Sequence, residues 1–146
     1  MINLRTASYG AFALRVALGA LFLAHAALKI LVFTPAGTAA FFGTLGLPPA
    51  LAYVTIAAEV GGGIALILGL YTRWVSLALV PLLLGTIATV HGANGFFFTN
   101  ANGGWEYSAF WALTLLVQAS LGDGAFAVSR PTLRTSVPAA QSALAD

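Results

Sequence analysis

Arg15, His25, Lys29, Glu59, His91 and Glu106 stand inside, or at the margins of, long apolar runs. A charge near a bilayer centre costs roughly 2.5–3.5 kcal/mol on insertion scales, so such groups normally face a protein interior or a wet cavity and work there. Only 7% of the 146 residues are charged, yet Arg15, Lys29, Glu59 and Glu106 occupy these costly positions. Together the six offer imidazoles and carboxylates for proton transfer, and cations that donate hydrogen bonds to a bound oxygen. Glu59 is the hardest to assign to packing alone. It lies near the middle of its run, cannot reach the surface, and must be paired or neutral.

Four apolar runs must position these groups: Tyr9 to Phe33, Pro49 to Leu70, Trp74 to Val90 and Trp105 to Leu121. Crossing the hydrocarbon core takes about 20 residues, with a range of roughly 17–25. Lipid offers the backbone no hydrogen bonds, and the ten-residue alternation of a membrane barrel is absent, so the spans are helices. The expected fold is all-α, a polytopic bundle of four transmembrane helices at about 9–33, 49–70, 74–90 and 105–121. Composition agrees: 60% of residues are hydrophobic and mean hydropathy is +0.94, far from a soluble domain. The run after Arg5, with Ala24-His25-Ala26, resembles a signal peptide, but it continues through Phe33 and reads as an uncleaved first helix.

Arg5, Arg73, Arg130 and Arg134 flank the spans on one side, while Thr34 to Pro48 and Gly92 to Gly104 contain no Lys or Arg. The positive-inside rule therefore predicts both termini in the cytoplasm and the two longer loops outside. A domain covering 1–124 and a mobile cytoplasmic tail at 125–146, rich in Ser, Thr, Ala and Pro, complete the expected organisation. Phe41-Phe42 and Phe96-Phe97-Phe98 suit loops lying in the headgroup layer, with Trp105 and Tyr107 as an aromatic belt. Ala57, Gly61, Ala65 and Gly69 form a small-xxx-small row that predicts close helix packing, with Gly62-Gly63 on the neighbouring face. Pro81 predicts a kink in the third span.

On helix 1, residues 15, 25 and 29 fall within an arc of about 80° at 100° per residue, so they share one face. A rise of about 1.5 Å per residue puts Lys29, His91 and Glu106 at similar heights near the outer face. His25 and Glu59 lie a turn or two deeper, and Arg15 sits alone toward the inner face. Five groups can thus converge on an outward pocket. Each also has a plainer role: Lys29 can snorkel, His25 can be a hydrogen-bonded core histidine, and Arg15 can cap carbonyls or reach headgroups. Glu106 and His91 can answer helix dipoles. The conjunction favours a site.

The histidines and glutamates match no compact metal motif, so no metal site is assigned. The differing depths of His25 and His91 argue against a shared haem. No cysteine is present, which leaves thiol chemistry and Cys-ligated clusters out of this chain. The six basic residues are scattered, which does not suit nucleic acid. An apolar ring bearing carbonyl or hydroxyl groups, such as a quinone, fits best. His or Lys would donate a hydrogen bond, and Glu would take or give a proton.

The chain also resembles the DoxX family of small four-helix bacterial membrane proteins, from about Leu14 to Gly124. The resemblance rests on Arg15-x-x-x-Gly19 leading to His25-Ala26-x-x-Lys29, and on Phe41 through Leu45-Gly46-Leu47-Pro48. Further matches are Glu59 with Gly62-Gly63, Leu68-Gly69-Leu70-Tyr71-Thr72-Arg73, His91 with Phe96-Phe97, Gly103-Gly104-Trp105-Glu106, and Gly122-x-Gly124. Ala26 departs from the family's frequent glycine, and residues after Gly124 lack its usual basic-Tyr/Phe-Ser-Leu-Asp ending. The resemblance implies a bacterial inner-membrane, multi-pass protein grouped with oxidoreductases. Relatives act as small subunits in quinone-linked sulfur oxidation or redox-stress defence.

Three functions are therefore in play. In the first, the chain is a redox-system subunit binding a quinone or similar lipophilic molecule. Glu59, His25 and His91 act on protons and hydrogen bonds, Lys29, Glu106 and Trp105 hold the ligand, and Arg15 is a structural charge. In the second, it is a non-enzymatic anchor or assembly partner for a redox enzyme. In the third, it transports a small solute, which four helices would require a homo-oligomer to do.

Overall fold

Each of the four apolar runs forms a helix in the computed structural model, which describes residues 4–128; every regular element among these is helical. Helix α1 spans Leu4–Ala27, α2 Pro35–Thr44, α3 Ala50–Leu68, α4 Thr72–Thr86 and α5 Glu106–Leu121. Three segments, Thr6–Val32, Ala50–Leu68 and Thr72–Asn94, are long and apolar enough to cross a membrane. Helix α5 has 16 residues, just under the usual minimum of about 17. The expectation for the tail falls largely on residues 129–146, as do Arg130 and Arg134; these lie outside the described residues. Residues 125–128 are not free of the bundle. The Ala125 amide donates to the Ser8 carbonyl and the Val128 amide to the Leu68 carbonyl, both at 3.0 Å.

The four long helices close a ring: α1 packs on α3 and α5, and α4 packs on the same two. One apolar layer fills the centre, made of Leu18 and Phe22 from α1, Leu66 from α3, Leu79 and Leu83 from α4, and Trp111, Ala112 and Leu115 from α5. Toward solvent or lipid the helices present Leu31, Ile64, Leu84, Leu113 and Leu116. A membrane protein needs no polar exterior, so this apolar surface is expected.

Helix α2 falls where the sequence suggested only a loop in the headgroup layer. A start signal was present in Thr34-Pro35. The Thr34 hydroxyl accepts from the Gly37 amide at 3.1 Å, and proline occupies the first helical turn, where its missing N–H costs nothing.

Two ends of long helices are wound differently from the rest. Leu28–Val32 and Ile87–His91 are single π turns that continue α1 and α4. Their signature is an i→i−5 bond: the Phe33 amide donates to the Leu28 carbonyl at 2.9 Å, and the Gly92 amide to the Ile87 carbonyl. Such turns shift the angular position of side chains and concentrate at functional sites. Lys29 and His91 both lie in them.

Close approach between helices is made by other glycines than the small-residue row implied. A Cβ on Gly19 would sit 2.6 Å from the Gly63 carbonyl oxygen, and one on Gly63 would sit 2.9 Å from that of Gly19. One on Gly62 would meet the Leu79 side chain at 2.8 Å. Gly61 meets nothing within 4 Å, and Ala57 is exposed, so that half of the row faces outward. Spacing identifies a small-residue stripe but not the side on which a neighbour stands. Gly19→Ala is expected to lower stability by about 1–3 kcal/mol through overpacking against backbone, with Gly61→Ala causing no loss. Unfolding midpoints in mixed micelles compare the two.

Arg15 locks the opposite end of the bundle from Lys29. It is wholly buried and gives its protons to backbone carbonyls of two other segments. Nη1 donates to Leu66 at 2.8 Å and to Ile67, Nε to Asp123 at 2.9 Å, and Nη2 to Ala125 at 2.9 Å. The first two are carbonyls in the last turn of α3; Leu66 also accepts from the Gly69 amide at 3.1 Å, and Ile67 is among the terminal carbonyls that a helix leaves without an intrahelical partner. Gly69 ends that helix in the left-handed conformation at φ 70°, and a Cβ there would lie 2.9 Å from the Arg15 guanidinium carbon. The Phe12 ring, 5.0 Å away, covers the cation. The Asp123 carboxylate accepts from the Thr72 amide at 3.0 Å, which ties the same segment to the start of α4.

Candidate functional site

His25, Lys29, Glu59, His91 and Glu106 line a single cavity of about 1910 Å³ at the end of the ring away from Arg15. Its walls are otherwise mainly apolar, from Phe41, Phe42, Leu51, Phe96 and Phe98 among others. Of the residues singled out in the sequence, Arg15 and Trp105 are not on this cavity. Trp105 packs edge-on against Phe96, with ring centroids 4.9 Å apart.

The floor is built by three helices. Glu59 on α3 is only 2% exposed, and its Oε1 accepts from Lys29 Nζ at 2.8 Å. The lysine stands higher in the bundle, on the π turn, and reaches down to the carboxylate. Thr38 of α2, also buried, donates from Oγ1 to the Thr34 carbonyl at 2.9 Å and to the Lys29 carbonyl at 3.4 Å. Helix α2 thereby holds the turn that carries the lysine. A pair of this kind has its charge balanced within the protein, which is the condition for keeping ions in an apolar bundle.

His25 lies one turn below Lys29 on the same face. Its ring packs on Trp111 of α5, centroids 5.0 Å apart, and Trp111 in turn packs on Phe22 at 4.5 Å and Tyr107 at 5.7 Å. Trp111 escaped the sequence reading, which sorted aromatics into belts. A signal existed: belt tryptophans stand at span ends, whereas Trp111 is inside a helix, where its N–H must find a partner. No protein group bonds Trp111 Nε1 or Glu59 Oε2, although both atoms are buried. An unpartnered buried polar atom costs about 1–3 kcal/mol; Thr72 Oγ1, Ser76 Oγ and Gln118 Oε1, away from the cavity, share that condition.

The roof is the segment between α4 and α5, folded on its own backbone. The Gly104 amide donates to the Phe97 carbonyl, Glu106 to Phe96 and Trp105 to Gly95, at 3.0, 3.0 and 3.1 Å. Two of the candidate site residues hold it. Glu106 Oε1 accepts from the Phe98 amide at 2.8 Å, and His91 Nδ1 lies 3.0 Å from the Gly103 carbonyl oxygen. A carbonyl can only accept, so Nδ1 carries the proton in that contact. The Asn94 amide nitrogen adds donors to the carbonyls of Val90, Asn102 and Gly103. Gly104 is indispensable to this shape, since a Cβ there would lie 2.3 Å from the Phe97 carbonyl oxygen. His91 and Glu106 thus position the phenylalanines over the cavity.

Among the described residues no group of three or more His, Cys, Asp and Glu side chains is placed to hold a metal ion.

The DoxX family model matches residues 10–92, a stretch that includes Arg15, His25, Lys29, Glu59 and His91. A protein of Bacillus subtilis (strain 168) named "Putative oxidoreductase CatD" is 41% identical over 81 residues, 56% of this chain and 59% of that protein. The match thus spans less than two thirds of that relative's length. No solved structure matches the chain.

Proposed function

The chain belongs to the DoxX family, and from that premise we propose that it is the membrane subunit of a redox system that binds a quinone-like ring in the cavity above Glu59. In this reading all four long helices span a bacterial inner membrane, both termini are cytoplasmic, and the cavity opens toward the outside. The observation that carries it is the convergence of His25, Lys29, Glu59 and Trp111 at the floor of one apolar cavity. The pattern is that of a small-molecule site: an apolar body with a few converging polar groups.

The ring would lie among phenylalanine and leucine side chains. Lys29, His25 and Trp111 supply donors to its oxygens, and Glu59, paired to Lys29, is placed to accept or return a proton. With no cysteine, electrons would come from a partner subunit carrying its own redox centre. The relative named as an oxidoreductase supports a redox setting.

Titration of a short-chain ubiquinone into the protein in lipid nanodiscs tests this directly. Micromolar binding is expected, weakened about tenfold or more by His25→Ala and by Trp111→Phe. Unaltered affinity in both variants would place the ligand elsewhere.

A second reading has its own observation. The Lys29–Glu59 pair ties α1 to α3 and the roof residues tie α4 to α5, as a scaffold for a partner enzyme would require. In that case, replacing the pair by apolar residues leaves function intact, whereas the binding reading expects function to disappear. Complementation of a deletion strain separates them.

A further inference from the structure

Two of the side chains that line the cavity each keep a buried polar atom without a partner in the protein. Glu59 Oε1 is occupied by Lys29, while Glu59 Oε2 has no partner. A carboxylate oxygen accepts only, so what it lacks is a donor. Trp111 Nε1 likewise has no partner, and an indole N–H donates only, so what it lacks is an acceptor. These are opposite needs, on α3 and α5, in side chains that line the same cavity. Between them on α1, His25 faces the cavity, and a neutral imidazole presents one donor and one acceptor.

A quinone carries carbonyls and no proton to give. It can satisfy Trp111 and the donor nitrogen of His25, but it leaves Glu59 Oε2 without a donor. A ring bearing hydroxyls serves both needs, because each O–H donates and its oxygen also accepts. Sites built around a hydrogen bond discriminate strongly against an analogue that cannot make it, since the buried protein group is then left alone.

We infer that the cavity prefers the hydroxyl-bearing, reduced form of the ring, a hydroquinone or phenol, over the quinone, with Glu59 Oε2 as the atom that reads the difference and Trp111 Nε1 as a donor that serves either form. This rests on the ring-binding reading above and adds the direction of the preference. Lys29 contributes indirectly. By holding Oε1 it turns the other carboxylate oxygen into the free acceptor.

The test is calorimetric titration of full-length protein in nanodiscs with decylubiquinol and decylubiquinone. A redox-inert pair, 4-decylphenol and its methyl ether, removes any effect of oxidation during the measurement. The hydroxyl form is expected to bind at least tenfold tighter in both pairs. A tenfold preference raises the two-electron potential of the bound ring by about 30 mV. In Lys29→Met/Glu59→Leu the preference should vanish, the hydroxyl form losing more affinity than the quinone, and Trp111→Phe should weaken both forms alike.

Equal affinity for the two forms, or tighter quinone binding, overturns the inference while leaving the ring-binding reading in place. A preference that survives in the double variant also overturns it, because the acceptor would then be another group. Absence of binding by all four compounds removes the ring-binding reading itself, and the inference with it.

Discussion

Lys29→Met is expected to destabilise the bundle by about 3–5 kcal/mol, because breaking a buried ion pair leaves an uncompensated charge behind. Glu59 is 2% exposed and has no second partner among the protein groups. Glu59→Gln should cost less. The lysine side chain is 20% exposed and can swing toward the cavity mouth. Restoring apolar balance with Lys29→Met/Glu59→Leu should recover most of the stability, since well-packed apolar residues often replace a buried pair without loss. The order expected in unfolding midpoints is therefore native and double variant together, Glu59→Gln lower, Lys29→Met lowest. If Lys29→Met is as stable as the native protein, the pair does not hold α1 to α3. The double variant is also the diagnostic for function. It keeps the fold while removing the charges, so lost ring recognition cannot be blamed on unfolding.

Arg15→Met should be at least as damaging, at about 4 kcal/mol or more, by a different route. Hydrogen bonds from a charged donor contribute about 1.5–3 kcal/mol each, and this guanidinium serves four carbonyls. Their contributions do not sum, but all are lost together, and the Ile67 carbonyl at the end of α3 loses the donor that Arg15 supplied. Arg15→Lys should recover little, because an ammonium lacks the planar fork that reaches two segments at once. Loss of monodisperse protein after extraction, or a strongly lowered midpoint, is the expected readout. Ligand affinity in whatever folds should stay unchanged, since Arg15 stands about 15 Å along the helix from His25. Weakened affinity in folded Arg15→Lys would show the two ends to be coupled.

These two charges show how much was legible beforehand. On helix 1 the 100° step put residues 15, 25 and 29 on one face, and that face is the inward one. His25 and Lys29 line the cavity, and Arg15 is buried at the far end. Helix periodicity is a property of the backbone, so it survives into any fold. The cation that pairs with Glu59 was not legible. Depth counted along ideal helices put the carboxylate a turn or two below Lys29, and only the long lysine side chain on a π turn closes that gap to 2.8 Å. Trp111 was hidden for a related reason: one tryptophan in an apolar run resembles any other core aromatic until a neighbouring helix brings His25 against it.

Hydropathy and length, with the family pattern, determined that this chain is an all-helical membrane protein in which Arg15, Lys29 and Glu59 turn inward. Both follow from the cost of exposing backbone or charge to lipid, which each residue meets regardless of its neighbours. Tertiary structure alone decided which glycines bring helices together, that His91 and Glu106 hold a loop over the cavity, and that Glu59 and Trp111 keep one free valence each. Those outcomes depend on distances between segments remote in the chain, and spacing along one helix carries no information about what stands opposite it.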